Sequence, residues 1–584
     1  MGSSGCGRQL NGERQASIGE ETSETPKKAG EKKPKTGLKE ASFARGASVM
    51  TLGTGISRIT GFARTAALAS VLGLTGKAMA DSFNLANITP NIVYDLILGG
   101  VLASLFIPVF VEYLRTKDEQ EAWHVANSVF NLTLLVLLVV SIALCITAPW
   151  VIRAQTFLAH GRQQMETDAI FLLRFFIFEV VFYGFCAIYT GILNSYKHFT
   201  IPAFAPIVNN IIVIATVIIY AVYPNKYVLA IGATLGVVGM ALIQIPWVRR
   251  TGFRYKPVID LKHPAVRKIG RLAVPVVIYV LINQVGLWVV NILAAQVSGG
   301  ISAFQYAYIF FQLPYGIVAV SIITALFPSL SESSVRKNKK QIVDSTSLGI
   351  RTTAFVVIPA SVAYAILATP IVRLLLQRLN FGAADTEMLA SVVLYFVLGL
   401  FFFSFFMLTL KVFYSMQDTK TPMIVAGVII GLNIAVDFIY FYSFKSNVMK
   451  VSGLALGNTT AYFVGTILVW VVLSRRLGGL DGKRVFLSLA KIVAASAVMG
   501  AATWATAWAC GKYVGTTTFL EQFLQVSAAL IVAAAVYLGM AVLLKSEEMR
   551  ALRHLLGRFL KRRQSELEPH GTEPVEEDTI IESD

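Results

Sequence analysis

The sequence predicts an all-α polytopic membrane protein with about fourteen transmembrane helices. Its 584 residues are 55% hydrophobic and only 15% charged, and the mean hydropathy is +0.64. Apolar stretches recur from Ala44 to Leu544, and a stretch of about 20 residues crosses a bilayer as a helix. Only helices and closed barrels pair all their backbone groups in hydrocarbon, and uninterrupted apolar runs favour helices over alternating barrel strands.

Polar breaks separate the apolar runs into individual spans, numbered 1 to 14 in chain order. The spans lie near residues 46–71, 79–110, 122–148, 168–193, 204–222, 228–248, 271–297, 303–328, 346–368, 386–413, 423–443, 451–473, 486–510 and 519–544. Lys and Arg cluster after spans 6, 8, 12 and 14. Short cytoplasmic loops retain positive charge, so these even-numbered exits predict a multi-pass plasma-membrane protein with both termini in the cytoplasm.

The net charge of +17 is explained by these loops together with the Lys-rich first 43 residues. Nucleic-acid binding is the other explanation of a basic chain, but it requires a soluble basic domain, and the sequence predicts none. Residues 1–43 lack a core-forming apolar set and are predicted to form a disordered basic cytoplasmic tail. Residues 546–584 are predicted to form a second cytoplasmic tail, whose basic part contacts anionic membrane lipids.

An internal repeat relates spans 1–2 to spans 7–8. Asp81 precedes Pro90 by nine residues, and Gln305 precedes Pro314 by nine; a second proline follows each, at Pro108 or Pro328. The two proline intervals differ by four residues, which is about one helical turn. Paired repeats with a site between them are typical of alternating-access transporters.

Several segments in a fixed order carry a family resemblance. They are Ser57–Arg64 in span 1, Pro90–Gly100 in span 2, Gly191–Ser195 and Pro202–Pro206 around spans 4 and 5, Gln312–Gly316 in span 8, and Phe413–Pro422 after span 10. Together they resemble the MurJ (MviN) flippases of the MOP exporter superfamily over about residues 45–545.

The resemblance implies two pseudo-symmetric bundles around a central cavity. Spans 1–6 (residues 44–250) form one bundle and spans 7–12 (271–474) the other, joined by a basic cytoplasmic loop at 251–270. Spans 13 and 14 (475–545) add helices that form a groove for lipid. The implied substrate is lipid II, a disaccharide-peptide on undecaprenyl pyrophosphate, which such proteins move to the outer leaflet. The tails are the expected contacts for cell-wall synthesis proteins.

Departures from the family pattern concern the cavity charges. Many members carry an acidic residue after the second arginine of span 1, basic residues midway along span 2, and an arginine in span 8. Here Thr65, the pair Tyr94-Asp95 and Ile309 occupy those places. Positive charge in this cavity therefore depends more heavily on Arg58 and Arg64.

Arg58 and Arg64 are the main substrate-binding candidates, since charges deep in the membrane usually face a cavity and mark a pathway. A guanidinium binds phosphate oxygens bidentately and stays charged. Asp81 and Asp95 are candidates to balance an arginine or bind substrate, and a structural salt bridge is the alternative. The polar side chains of span 8 are candidates for hydrogen bonds to sugars, or else for helix contacts: Ser302, Gln305 and Gln312.

A second polar cluster lies in the other half of the chain. Asn433 and Asp437 are four residues apart in span 11 and share a helical face. Asn291 in span 7, with Thr459 or Thr460 in span 12, would add oxygen ligands. An oxygen-only set suits a hard monovalent cation such as Na⁺, while a polar cluster that joins helices is the plainer interpretation.

The sequence predicts a transporter and no enzyme, with no cofactor apart from this cation. The six His residues are dispersed at loops and helix ends, with no nucleophile at a recognisable spacing. Two alternatives stay open. One is another MOP-type exporter, for polyprenyl-linked oligosaccharides or for cationic drugs, and the other is a non-transporting scaffold for cell-wall synthesis.

Overall fold

The computed structural model describes residues 36–74, 79–96 and 106–549, and all regular structure in these ranges is helical. The α-helices are α1 Thr36–Leu72, α2 Met79–Asp95, α3 Ile107–Thr116, α4 Glu119–Thr156, α5 Gln163–Phe176, α6 Glu179–Ser195, α7 Thr200–Val222, α8 Lys226–Leu242, α9 Ile245–Arg250, α10 Pro264–Ala294, α11 Gly300–Pro314, α12 Val320–Val335, α13 Lys339–Ile366, α14 Ala368–Leu376, α15 Ala383–Leu398, α16 Leu400–Ser415, α17 Lys420–Ser443, α18 Asn447–Leu477, α19 Gly482–Tyr513 and α20 Phe519–Leu543. A π-helical turn, Tyr315–Ala319, joins α11 to α12.

The prediction of an all-α polytopic fold is confirmed. Among the described residues, ten helical segments are long and apolar enough to cross a membrane, and α15 with α16, bent by 45°, gives an eleventh. The three remaining predicted spans correspond to α1, to α2 with α3, and to α10. Helix α1 carries three arginines, Arg45, Arg58 and Arg64. Residues 97–105, between α2 and α3, lie outside the described part of the chain.

Two helices begin earlier in the chain than the predicted spans. Helix α1 begins at Thr36, inside the tail predicted at 1–43, because Leu38, Lys39, Glu40 and Ala41 are all favourable helix residues. Residues 1–35 lie outside the description. Helix α10 begins at Pro264, inside the loop predicted at 251–270. Proline suits the first helical position, and His263 caps this helix by accepting a hydrogen bond from the Ala265 N–H.

The helices pack into two groups that meet along a narrow seam. In the first half, α7 packs against α1 and α8, and α5 packs against α2; in the second, α18 packs against α15, α16 and α17. Helices α19 and α20 pack together and lie against α13 and α14. The halves meet where α11 contacts α1 and α2, and where α10 contacts α4. This seam contains the cavity described below.

The chain between the halves is bound to α4 by two asparagines. The Asn127 amide donates to the Arg254 carbonyl (3.2 Å) and accepts from the Lys256 N–H (2.8 Å), and Asn131 donates to the Lys256 carbonyl (2.7 Å). Further along, a hydrogen bond from His124 lowers the pKa of the exposed Asp260 carboxyl. The connection therefore follows the first half closely up to the start of α10.

The start of the C-terminal tail is packed against the protein. Arg351 of α13 is buried and pairs with Glu547 (2.6 Å) and Glu548 (3.1 Å). The Ser488 hydroxyl of α19 also donates to Glu548 (2.8 Å). Residues 546–549 of the tail predicted at 546–584 are thus held by α13 and α19, and residues 550–584 lie outside the description.

Candidate functional site

A polar cavity lies between the two halves. Three adjoining recesses form one space, which we call the central cavity. Ile309 lines all three recesses, Arg64 lines two of them, and Asn91 and Gln305 line the innermost recess and one neighbour. Its innermost recess encloses about 680 Å³, including the part open to solvent. Helices α1, α2, α6, α7 and α8 line it from the first half, and α10 and α11 from the second. Ile309 makes the junction of the recesses apolar.

Arg58 and Arg64 both line this cavity. They leave α1 about 120° apart, because six residues separate them on a helix of about 3.6 residues per turn. Their long side chains nevertheless reach the same recess, which α11 lines from the other side. The Arg58 guanidinium crosses to the second half and lies against Gly316, where a Cβ would collide with it. Arg64 lies deeper, and its Nε is buried without a hydrogen-bond partner.

Carboxamides form a row on the cavity wall. Asn84, Asn87 and Asn91 follow the i, i+3, i+7 pattern of one face of α2, and all three line the innermost recess. Gln305 of α11 lies opposite them. Gln312, one of the predicted span-8 candidates, lines the recess with Arg58 and donates to the Tyr308 hydroxyl (2.8 Å). The asparagine row was not predicted, although its helical spacing was readable in the sequence.

Asp81 and Ser302 were predicted substrate contacts, and the structure places both in a fully buried clasp between the halves. Arg162 donates to Asp81 Oδ2 (2.7 Å), as does the Gly299 N–H (2.9 Å). Ser302 donates to Asp81 Oδ1 through its N–H (3.0 Å) and its hydroxyl (2.8 Å). These four donors occupy both carboxylate oxygens, so in this conformation Asp81 has a partner other than Arg58 or Arg64. Arg162 itself was not predicted.

The clasp closes one end of the central cavity. Asn84 lines the cavity one turn beyond Asp81, and its amide donates to the Ser302 hydroxyl (2.9 Å). Gly299 has a φ of 77° and its Cα lies beside the Leu74 backbone, a combination that favours glycine. Arg58, at the other end of the cavity, is solvent-exposed.

A second set of contacts reinforces the same closure. The Asn380 N–H donates to the Ser70 carbonyl (3.0 Å), and the Asn380 amide donates to the Val71 carbonyl (2.6 Å). Asp385, at the start of α15, accepts from the Leu74 N–H (3.2 Å). The end of α1 is thereby tied to the loop between α14 and α15.

Asp95 and Glu179 are two further acidic residues inside the predicted spans. Asp95 ends α2, and its side chain lies outside the described part of the structure. Arg174 and Glu179 are five residues apart in the predicted span 4. A break in the helix separates them, since Arg174 belongs to α5 and Glu179 begins α6. Arg174 is exposed, whereas Glu179 is buried and lines the central cavity.

The predicted cation cluster is only partly assembled. Asp437 of α17 is fully buried, and neither of its carboxylate oxygens has a hydrogen-bond partner. Its Oδ1 lies against Gly457 of α18, and the Asn433 amide nitrogen, also unpartnered, lies on the same side of α17. Asn291 of α10 is buried and lines the central cavity.

The two predicted threonines differ in direction. Thr460 contacts the Tyr440 hydroxyl of α17 (3.4 Å) and donates to the Leu456 carbonyl of its own helix. Thr459 donates to the Tyr395 carbonyl of α15 (2.7 Å) and packs against Gly399. Thr459 is two residues from Gly457, which is about 200° around the helix, so it faces away from Asp437.

Two helical bundles, a polar cavity between them and a closure at one end define a membrane transporter of the alternating-access type. Residues 68–524 match the family model of the lipid II flippase MurJ. The chain therefore belongs to the MurJ family.

One curated relative and two solved structures illustrate what this chain is similar to. A probable lipid II flippase MurJ of Rhizobium meliloti (strain 1021) is 29% identical over 501 residues, covering 83% of this chain and 91% of the relative. A solved lipid II flippase MurJ in an inward closed conformation has a TM-score of 0.69 at 23% identity, covering 85% of this chain and 98% of that one. An inward-facing multidrug resistance MATE transporter of the MOP superfamily has a TM-score of 0.62 at 16% identity, covering 73% and 99%.

Proposed function

We propose that this protein carries lipid II from the cytoplasmic to the outer leaflet by alternating access. The observation that carries the proposal is the pair Arg58 and Arg64 in a cavity between two bundles of the MurJ fold. Two fixed guanidiniums suit the pyrophosphate of lipid II and disfavour cationic drugs. A scaffold would gain nothing from charges that cost at least about 2.5–3.5 kcal/mol each in the membrane.

The carboxamides supply the remaining specificity. Asn84, Asn87 and Asn91 offer donors and acceptors without charge, which suits the sugar hydroxyls and peptide amides of the headgroup. The direct test is reconstitution of the protein in vesicles that contain fluorescent lipid II, with translocation measured by quenching from one side. A protein that moves other polyprenyl-linked oligosaccharides but leaves lipid II in place would favour the alternative exporter.

The proposed orientation places both termini in the cytoplasm. Arg249, Arg250 and Lys262 lie on the connection between the halves, and retention of positive charge assigns that connection to the inside. The Asp81 clasp, at the other end of the cavity, is then on the outer side. In this orientation the structure is closed to the outside, and the exposed Arg58 faces the entry route of a cytoplasmic substrate.

Cysteine labelling tests the orientation. In a variant without the four native cysteines, single cysteines at Lys262 and Lys337 are expected to react with an impermeant maleimide only from the cytoplasmic side. A cysteine at Pro224, between α7 and α8, is expected to react only from outside. Labelling of Lys262→Cys from outside in intact cells would overturn the orientation.

We further propose that Asp437 binds a monovalent cation such as Na⁺. A fully buried carboxylate with two unpartnered oxygens is costly in the membrane unless it holds a proton or a cation. Asn433 lies on the same side of α17 as Asp437, and Asn291 of α10 is kept as a proposed further ligand. Thr459 is withdrawn from the set because it donates to the Tyr395 carbonyl of α15. Cation binding biases the two states only as far as it prefers one of them, and a tenfold preference supplies about 1.4 kcal/mol.

The Asp437→Asn variant tests this site. We expect it to abolish any stimulation of translocation by Na⁺. The dissociation constant for lipid II should stay within about twofold of wild type, well below the tenfold change that corresponds to about 1.4 kcal/mol. The matched control is Asp344→Asn, which removes an exposed carboxylate from α13. Equal wild-type rates in Na⁺ and in a large organic cation, at matched membrane potential, would show that the cluster is structural.

A further inference from the structure

Glu179 is a buried carboxyl that faces the central cavity and has no assigned role. It lies in the first turn of α6, is 2% exposed, and one of its oxygens, Oε1, has no hydrogen-bond partner. The helix break between α5 and α6 precedes it directly and points this first turn toward α1 and α8. A carboxylate in this position is costly when ionised unless a positive charge is close by.

Arg64 supplies that charge. It lines the same recess, is near enough for the two charges to attract, and keeps its own Nε unpartnered. The described groups that face Glu179 or its immediate neighbours on the packed elements are Tyr183 and Cys186 on α6, Tyr94 on α2, Asn209 on α7, Thr234 on α8 and Tyr306 on α11. None of these types carries a charge at neutral pH in its ordinary state. Among the described residues, Arg64 is therefore the counter-charge of Glu179.

The same guanidinium is the proposed ligand of the substrate pyrophosphate. When a phosphate group binds Arg64, it competes with an ionised Glu179 for the positive charge of the guanidinium. The bound phosphate also repels the Glu179 carboxylate directly. Neutralisation of Glu179 removes both penalties. Linkage is reciprocal, so a bound anion must strengthen proton binding by Glu179 as much as protonation strengthens anion binding.

We propose that Glu179 is a proton-binding counter-charge for Arg64 and takes up one proton from solvent when an anionic phosphate group binds to Arg64. Release of the anion returns the proton, so the carboxylate resets Arg64 for the next cycle. Thr65, the residue after Arg64, is neutral and donates its hydroxyl to the Gly61 carbonyl (3.1 Å). It supplies no charge to Arg64, and Glu179 provides that charge from another helix. This inference rests on the proposed function of the cavity.

The test measures binding of geranylgeranyl pyrophosphate, a short polyprenyl pyrophosphate, to the purified full-length protein between about pH 6 and pH 9. One linked proton raises the dissociation constant by at most about tenfold per pH unit above the titration of the carboxyl. We expect wild-type affinity to fall as pH rises and Glu179→Gln to bind at least about tenfold tighter than wild type at the alkaline end. Calorimetry in buffers of different ionisation enthalpy measures the number of protons taken up when the probe binds. We expect wild type to take up more protons than Glu179→Gln. Protons that the probe itself gains or loses cancel in this difference, because both proteins bind the same probe.

Two further variants keep the test decisive. Glu179→Asp retains a carboxylate and should restore proton uptake, which guards against a folding defect in Glu179→Gln. Glu112→Gln, which removes an exposed carboxylate paired with Lys268, should behave as wild type. Equal pH dependence and equal proton uptake in wild type and Glu179→Gln would overturn the inference and leave the substrate site intact. Absence of probe binding by wild type, or unchanged binding by Arg64→Ala, would instead refute the proposed site and the inference with it.

Discussion

Replacement of Arg64 by alanine is expected to reduce lipid II translocation by roughly ten- to hundredfold while the protein still inserts and folds. A hydrogen bond to a charged group contributes about 1.5–3 kcal/mol, and each 1.4 kcal/mol is a factor of ten. Arg64 lies deep in the central cavity with an unpartnered Nε, so its loss removes a substrate donor. Glu179, left without its counter-charge, is then held in the neutral, protonated form. The measurement is the initial rate of translocation in vesicles.

Companion variants separate geometry from charge. Arg64→Lys should recover only part of the rate, because an ammonium group cannot bind two phosphate oxygens in the planar way a guanidinium does. Arg58→Ala should have a smaller effect, since Arg58 is more exposed. Arg336→Ala, which removes an exposed surface arginine paired with Glu332, is the matched control and should transport normally. Normal transport by a folded Arg64→Ala protein would exclude Arg64 from the site.

Replacement of Asp81 by alanine is expected to open the closed end of the cavity and to abolish most transport. The substitution leaves the partly buried Arg162 and the Gly299 and Ser302 N–H groups without their acceptor. Removal of one partner from a buried ion pair costs about 3–5 kcal/mol. This cost destabilises the closed state, because the clasp forms in that state. The readout is the reactivity of a cysteine at Asn87 toward an impermeant reagent added on the Asp81 side.

A matched control lies on the same side of the molecule. Asp168 pairs with Lys226 (3.1 Å) within the first half, so Asp168→Asn breaks an ion pair without touching the contacts between halves. It should leave the Asn87→Cys site protected. Continued protection in a folded Asp81→Ala protein would mean that the Ser70, Asn380 and Asp385 contacts are sufficient to hold the halves together.

Some residues of the candidate site could be predicted from the sequence, and others depend on partners that only the structure shows. Arg58, Arg64, Gln305 and Gln312 could be predicted as candidate cavity residues from their type and depth, because a polar side chain inside a span must face a cavity or a partner. The structure places all four in the cavity. Asp81 met the same criterion and proved to be in the clasp. The type and depth of Asp81 do not show whether its side chain faces the cavity or a partner. The structure shows that its partner is Arg162, on a loop 81 residues away.

The sequence by itself determined the helical membrane fold, the approximate spans, the positive loops and the two arginines. These follow from local causes: hydrocarbon excludes unpaired backbone, and each residue's cost of burial depends on its own type. Tertiary structure alone decided that Arg162 holds Asp81, that Thr459 faces α15, and that Glu179 of α6 meets Arg64 of α1. Those pairings depend on the rotation and height of helices far apart in the chain, which helix-to-helix packing sets and local periodicity does not encode.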